Sequence, residues 1–317
     1  MKTIKTALMI SVFLTVCIMV SGCGTAASDI KPDPETSVVI PEIPSGAAVS
    51  YLGPQGTYTE EAAQFFFQNE AVFFPEATVD QAIADVVNGN TDYAVIPQEN
   101  TLGGAVTNYL DALIAQENIY VIGEVIIPIS QTLMGIPGAS IEDIRTVCSH
   151  AQGIAQSAVW RKEHMPDAVT KEMPSTAAAA SYVAETGDRT IAAIAAPGAA
   201  RLYGLEVLAE NVQITDANKT RFYVLSSSQP EGKLLPRAVF VASCEANRID
   251  DIIAAISGTG LELVAIHDRP EGSYLGSYHY VIEAENPGGI TEKQIDTIRK
   301  ISEVRYLGSF FTVEKQY

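Results

Sequence analysis

The chain has 317 residues, 47% of them hydrophobic, and its 38 Asp and Glu outweigh 20 Lys and Arg to give a formal net charge of −18. That apolar content can bury a core large enough for two or three domains. The charge excludes a nucleic-acid or anionic-lipid surface, and an acidic small molecule would have to be held by local donors because the global field repels it.

The first 23 residues are a separate object: Lys2 and Lys5 form a short basic region, and residues 7–20 are an apolar core too short for a comfortable membrane span. The core ends in Val20-Ser21-Gly22-Cys23, which resembles a bacterial lipobox, where signal cleavage leaves a cysteine that receives diacylglycerol. This implies lipidation at Cys23 and an exported lipoprotein on the outer face of the bacterial cytoplasmic membrane, touching the membrane only through its lipid. A cytoplasmic protein is the alternative if the signal is misread. Residues 24–48 are rich in Pro, Ser, Thr and acids without periodicity, and read as a disordered tether.

Residues 49–52 read as a strand, and 58–68 as a helix after a Gly-rich turn, with Thr59 as its N-cap. Ala82, Ile83, Val86 and Val87 recur at helical spacing over 78–88, 93–96 is a buried strand, and Val106, Leu110 and Leu113 mark one face of a helix over 104–115. A second α/β unit begins near 126. It has strands at 130–134 and 146–149, a helix over 152–165, another over 175–185, a strand over 190–196 and a helix over 197–203 closed by Gly204. Such alternation predicts parallel or mixed sheets covered on both faces. The chain passes between lobes near 125–128 and returns near 220–225, so two crossings make a hinged cleft. Lobe one is then 49–126 with 219–228, and lobe two is 127–218. After the turn-rich Gln229-Pro230-Glu231-Gly232, residues 236–317 run strand, helix, strand, strand, helix, strand, the order of a ferredoxin-like α+β domain.

Four polar segments carry the candidate chemistry. Asn218-Lys219-Thr220-Arg221-Phe222 puts a hydroxyl beside a guanidinium, the pair needed to grip a carboxylate and protonate a leaving oxygen. Arg221 either takes that carboxylate or pairs with a protein acid such as Glu99, and Phe222 either stacks on a ring or joins the core. Gly53, Gly56 and Thr57 lie in a strand-to-helix turn whose free N–H groups can cradle an anion. Glu99, Asn100 and Thr101 end a strand at the same face, and Ser175 and Thr176 open a helix in the other lobe. Cys148 and Cys244 read as buried free thiols, and the four histidines lack ligand spacing, so no metal site is expected.

The segments Tyr51-Leu52-Gly53-Pro54-Gln55-Gly56-Thr57-Tyr58-Thr59, Pro97-Gln98-Glu99-Asn100-Thr101-Leu102-Gly103-Gly104, Ser175-Thr176-Ala177-Ala178-Ala179 and the Thr220-Arg221-Phe222 run occur in the order that resembles prephenate dehydratase, over about residues 50–226. From about 236 onward the chain resembles an ACT domain, a regulatory module that usually pairs across a dimer. The resemblance implies a two-lobed α/β fold like that of type II periplasmic binding proteins, a homodimer or homotetramer, no cofactor, and loss of CO2 and the ring hydroxyl from prephenate. It also implies Thr220 at the leaving hydroxyl, Arg221 on a carboxylate, and Gly56, Thr57, Glu99, Asn100, Thr101, Ser175, Thr176, Asn218 and Phe222 around the substrate. Arg269 and Pro270 alone retain the family's Glu-Ser-Arg-Pro regulatory motif, here His267-Asp268-Arg269-Pro270, so phenylalanine control is in doubt. Gly103 stands where the family has an acid, and His150-Ala151-Gln152 replaces its usual His-Pro-Gln, with His150 read as structural. Two further readings stay open: an exported aromatic-acid binding lipoprotein without catalysis, and arogenate in place of prephenate.

Overall fold

The computed structural model describes residues 45–68, 70–215, 217–230 and 234–316. The signal segment, Cys23 and residues 24–44 of the expected tether lie outside the described residues. Ala47 and Ala48, which composition assigns to the tether, belong to the fold: Ala47 is buried and β1 spans Ala48–Leu52.

After β1 come α1 (Tyr58–Phe66), β2 (Val72–Glu76), α2 (Val79–Val87), β3 (Tyr93–Asn100), β4 (Gly104–Ala105), α3 (Thr107–Ala115) and β5 (Tyr120–Pro128). The N-cap of α1 is Thr57 and not Thr59: Thr57 is extended, and its Oγ1 accepts from the Glu60 N–H. Helix α3 starts later than its apolar spacing predicts, because Gly104–Ala105 pairs antiparallel with the end of β3. Gly104 takes a φ of +73°, a conformation open to glycine at little cost.

The chain then builds β6 (Thr132–Gly135), β7 (Thr146–Ser149), α4 (Ala151–Gln156), α5 (Ala158–His164), β8 (Val169–Glu172), α6 (Thr176–Thr186), β9 (Ile191–Ala195), α7 (Pro197–Tyr203) and β10 (Glu206–Ala209). The helix expected over 152–165 is two helices. They break at Ser157, whose hydroxyl donates to the Gly153 carbonyl at 2.7 Å and competes with the backbone ladder. Ser175 caps α6 as the sequence predicts, accepting from Ala178 N–H at 3.0 Å. These strands form a five-stranded sheet in the order β10, β6, β9, β7, β8.

Strand β11 (Lys219–Ser226) returns the chain to the first sheet, and β12 (Arg237–Glu245), α8 (Ile249–Ser257), β13 (Glu262–Pro270), β14 (Ser277–Glu285), α9 (Glu292–Ile298) and β15 (Val304–Glu314) follow. This last module has the expected β-α-β-β-α-β order, yet its sheet is not separate. One sheet runs β13, β14, β12, β15, β5, β11, β3, β1, β2, with β4 paired to β3. Strand β15 makes the join: its first residues pair with β12, and Phe311 to Glu314 pair in parallel with Gly123 to Ile126 of β5. Gly308 permits the switch, since its φ is +135° and a Cβ there would sit 2.3 Å from the Val121 carbonyl oxygen. The core is shared accordingly, and Tyr223 packs edge-on against both Tyr109 of α3 and Phe310 of β15.

The two connections between the sheets lie just outside β5 and β11, at 129–131 and 210–218, slightly displaced from the predicted crossings. They bond to each other: Ile129 N–H donates to the Asn218 carbonyl at 2.8 Å and Val212 N–H to that of Gln131 at 2.9 Å. Asn100, Thr101, Asn218 and Thr220 are positioned by these connections or by the strand ends beside them.

Candidate active site

Antiparallel register places Thr220 of β11 opposite Asn100 of β3, and Arg221 opposite Glu99. Successive residues of a strand face opposite ways, so Thr220 and Arg221 cannot serve one pocket. Thr220 faces the cleft between the sheets. Arg221 faces the C-terminal module.

On the cleft side Asn100 is the organising residue. Its Nδ2 donates to Thr220 Oγ1 at 2.9 Å, Asn218 Oδ1 at 2.9 Å and the Lys219 carbonyl at 3.1 Å. Its Oδ1 accepts from the N–H groups of Leu102 and Gly103 and from Gln152 Nε2, each at 3.0 Å. With both ends of the amide engaged, its orientation is fixed, and Thr220 must accept the bond from Nδ2. The Thr220 proton is then free to point elsewhere, since its oxygen makes no other bond to the described residues. The network continues into the second sheet's helices, where Gln156 Oε1 accepts from Asn218 Nδ2 at 3.0 Å and from Gln131 Nε2 at 3.1 Å.

Beside this network opens a cavity of about 430 Å³ between the 100–106 segment and α4, lined by Asn100, Leu102, Val106, Gln152, Ala155, Gln156 and Ile214 together with Gly103, Gly104 and Ala105. Its walls are amides and small or branched apolar groups, suited to a ring with a few polar substituents. No Lys or Arg is among those lining residues. Gln152 reaches across only because position 103 is glycine, where a Cβ would come within 2.8 Å of its Nε2.

Several expected site residues are committed elsewhere. The Gly56 N–H, expected to cradle an anion, donates to Glu60 Oε2 at 2.6 Å, and the Thr57 hydroxyl accepts from Glu60 N–H while donating to the Leu52 carbonyl. The protein's own carboxylate thus fills the proposed cradle. Thr101 Oγ1 donates to the Ala217 carbonyl and accepts from Lys219 N–H, both at 3.0 Å, tying the loop after β3 to the hinge. Ser175 caps α6. Thr176 is half-buried beside α4, its methyl 3.6 Å from where a Gly153 Cβ would lie. Phe222, 2% exposed, belongs to the core with Tyr51, Phe66 and Val125, which settles its two readings in favour of packing. Arg269, at the end of β13, makes a two-pronged pair with Asp111 of α3 at 2.7 and 2.8 Å, while Pro270 pairs with Tyr278.

Arg221 overturns the expectation of a substrate carboxylate partner. Its Nε donates to Glu124 at 2.6 Å, its Nη1 to Glu99 at 3.1 Å and its Nη2 to Glu283 of β14 at 2.5 Å. Burial alone would push this guanidinium down, but the Glu283 and Glu124 carboxylates outweigh it and hold Arg221 above its ordinary value. Arg237 of β12 adds a second cation near Glu124 and Glu283, at 3.3 and 3.7 Å. Sequence reasoning missed Glu124 and Glu283, both fully buried. Their signal was an acid flanked by apolar residues, Gly123-Glu124-Val125 in β5 and Ile282-Glu283-Ala284 in β14, since a buried carboxylate requires a partner.

With this geometry in view, comparison with known proteins is informative. The family model for prephenate dehydratase matches residues 49–230. A bifunctional chorismate mutase/prephenate dehydratase of Neisseria gonorrhoeae is 33% identical over 271 residues, covering 83% of this chain and 74% of that protein. The chain belongs to the prephenate dehydratase family. The prephenate dehydratase of Bacillus subtilis is 30% identical over 284 residues, covering 83% of this chain and 98% of its own. A solved prephenate dehydratase from Arthrobacter aurescens, in complex with L-Phe, superposes with a TM-score of 0.75 at 32% identity, covering 83% of this chain and 90% of that one. The family match runs from within β1 through β11, covering the whole five-stranded sheet, and ends before β12 begins.

Proposed function

We propose that this chain is a prephenate dehydratase that converts prephenate to phenylpyruvate, and that Thr220 assists departure of the ring hydroxyl. The observation that carries the reading is the Thr220 hydroxyl, held as an acceptor by Asn100 at 2.9 Å, which leaves its own proton uncommitted among the described residues and next to the residue that lines the cavity. In the reaction the bond to the ring carboxylate breaks and releases CO2. Its electron pair enters the ring, and the C–O bond to the hydroxyl breaks as the ring becomes aromatic. The departing oxygen takes up a proton and leaves as water. A threonine is too weak an acid to be a tuned general acid, so Thr220 donates a hydrogen bond or relays a proton from solvent. Asn218 and Gln152 act by fixing Asn100, and Gln156, whose Oε1 is occupied twice, lines the cavity. The carboxylates of the substrate would be met by such neutral donors, in place of the guanidinium first expected.

The module after residue 236 we read as an ACT-like domain supporting a homodimer, and the Cys23 signal as a lipid anchor on the outer face of the membrane. Phenylalanine binding by the Arthrobacter protein supports testing L-Phe as a ligand of this module. The lipobox-like Val20-Ser21-Gly22-Cys23 also favours a second reading, an exported binding protein for an aromatic acid. Incubating the purified protein with prephenate while following both melting temperature and phenylpyruvate separates the two. Turnover supports the enzyme. A stabilised melt without turnover supports the binding protein, since a ligand that prefers the native state must raise stability. Metabolic labelling with a radioactive fatty acid, lost on Cys23→Ser, tests the anchor; no label on the unaltered chain would contradict it.

A further inference from the structure

Strand β3 carries an irregularity at the site. Its pairing with β11 shifts by one residue between Arg221, opposite Glu99, and Phe222, opposite Pro97, so that Gln98 is the extra residue of a bulge. Gln98 is fully buried, and its Nε2 donates to Tyr223 Oη at 3.1 Å and to Glu283 Oε1. Tyr223 Oη donates to the same Glu283 oxygen at 2.5 Å, and Arg221 Nη2 to the other at 2.5 Å. Three side chains from the two cleft strands therefore converge on one buried carboxylate of the C-terminal module, directly behind the bulge that sets Asn100 against Thr220.

We propose that Glu283 is a positioning residue for the dehydratase reaction: it pins the β3 bulge from the C-terminal module and so sets the register that puts Asn100 beside Thr220. The inference rests on the dehydratase reading for its kinetic consequence. Its structural part follows from strand geometry. A bulge relaxed by one residue turns every side chain beyond it to the opposite face, which would remove Asn100 from the cleft and leave Thr220 unoriented. Among the described residues no other carboxylate does this. Glu124 touches Arg221 but bonds neither Gln98 nor Tyr223, and Glu285 reaches only Arg237, at 3.4 Å. The position also explains how a module whose strands lie outside the cleft can govern it without contributing a side chain to the cavity.

The test uses Glu283→Gln, Tyr223→Phe and Glu285→Gln in the full chain, with prephenate turnover and hydrogen–deuterium exchange over residues 98–101 and 219–221. A misplaced catalytic group commonly costs tenfold or more, so Glu283→Gln is expected to lower kcat by about tenfold with KM within about twofold. Tyr223→Phe, which keeps the ring packing, moves kcat the same way by about threefold and carries the test if Glu283→Gln does not fold. Both speed exchange at 98–101. Glu285→Gln removes an acid that pairs with Arg237 inside the same module, without altering kcat or that exchange. The proposal is overturned if Glu283→Gln or Tyr223→Phe, folded, keeps wild-type kcat and exchange, or if Glu285→Gln reproduces their effects. Unaltered protein that leaves prephenate untouched would sink the dehydratase reading, and the exchange data would still decide the pinning.

Discussion

Replacing Asn100 by Asp changes one atom and reverses the polarity of the site's central amide. In the native arrangement Nδ2 supplies donors to Thr220 Oγ1, Asn218 Oδ1 and the Lys219 carbonyl, while Oδ1 receives three N–H donors. Asn100→Asp leaves the accepting side intact and slightly stronger, because a charged acceptor bonds more tightly. On the other side it aims an oxygen at three acceptors. Losing those three bonds at about 1 kcal/mol each, offset by about 1 kcal/mol from the strengthened side, gives a net destabilisation of about 2 kcal/mol. At roughly 2–4 °C per kcal/mol, this lowers Tm by about 4–8 °C. The Thr220 hydroxyl can relieve one clash by turning to donate to the new carboxylate, and its proton is then withdrawn from the cleft. Removing one donor aimed at developing negative charge costs about 10²–10³ in kcat. Asn100→Ala removes the amide without capturing the Thr220 proton, so its kcat loss should be smaller, about tenfold. The assay is phenylpyruvate formation by ultraviolet absorbance at a temperature where circular dichroism shows each variant folded. The reasoning is refuted if Asn100→Asp keeps wild-type kcat, or if Asn100→Ala is the more damaged of the two.

Other consequences follow from single features. Gly103→Ala displaces the mobile end of Gln152, so Tm should shift by less than the equivalent of about 1 kcal/mol while turnover falls severalfold; unchanged turnover would show the Gln152 contact to be idle. Gly308→Ala meets the Val121 carbonyl at 2.3 Å in a backbone conformation that disfavours a side chain, and should cost about 2–4 kcal/mol by chemical denaturation. Burial first, with Glu60, Glu61 or Glu283 adding to it, raises the Tyr51, Tyr58, Tyr109 and Tyr223 phenols above their ordinary value. An acid raised in the fold keeps its proton where the unfolded chain loses it. Unfolding free energy should therefore be flat through neutral pH and fall above about pH 10, by up to about 1.4 kcal/mol per pH unit for each phenol. A flat profile to pH 11 would contradict this. Cys148 and Cys244 are buried, and their thiols are raised chiefly by desolvation, so both should resist alkylation until denaturant is added, as peptide mass mapping would show.

What the sequence conveyed depended on contrast between neighbouring positions. Helices α2, α6 and α7 were legible because apolar spacing marks α2, Ser175 opens α6 and Gly204 closes α7. Strands β2, β8 and β10 were not, because edge strands such as Val169–Glu172, exposed at all four residues, show no inside-outside alternation. The break at Ser157 has no Pro or Gly to announce it, only a hydroxyl bonding back one turn. Docking of β15 on β5 was hidden too, since the apolar run Tyr120–Pro128 does not name its neighbours. In the site, Asn100, Asn218 and Thr220 were singled out from separate segments and do lie together. Arg221 was placed beside Thr220 because adjacency in sequence was taken for adjacency in space. The period of two in a strand already argued otherwise. Glu124 and Glu283 then had a visible partner to find.

The central claim is that the Thr220 hydroxyl, oriented by Asn100, assists loss of the ring hydroxyl from prephenate. The most direct measurement is prephenate turnover by the purified protein beside Thr220→Val and Thr220→Ser. Valine keeps the shape and removes the hydroxyl, and serine restores the hydroxyl alone. The account predicts measurable turnover, lost by about 10²-fold or more in Thr220→Val and largely retained in Thr220→Ser. Turnover in Thr220→Val equal to that of the unaltered chain, with the variant folded, would contradict it.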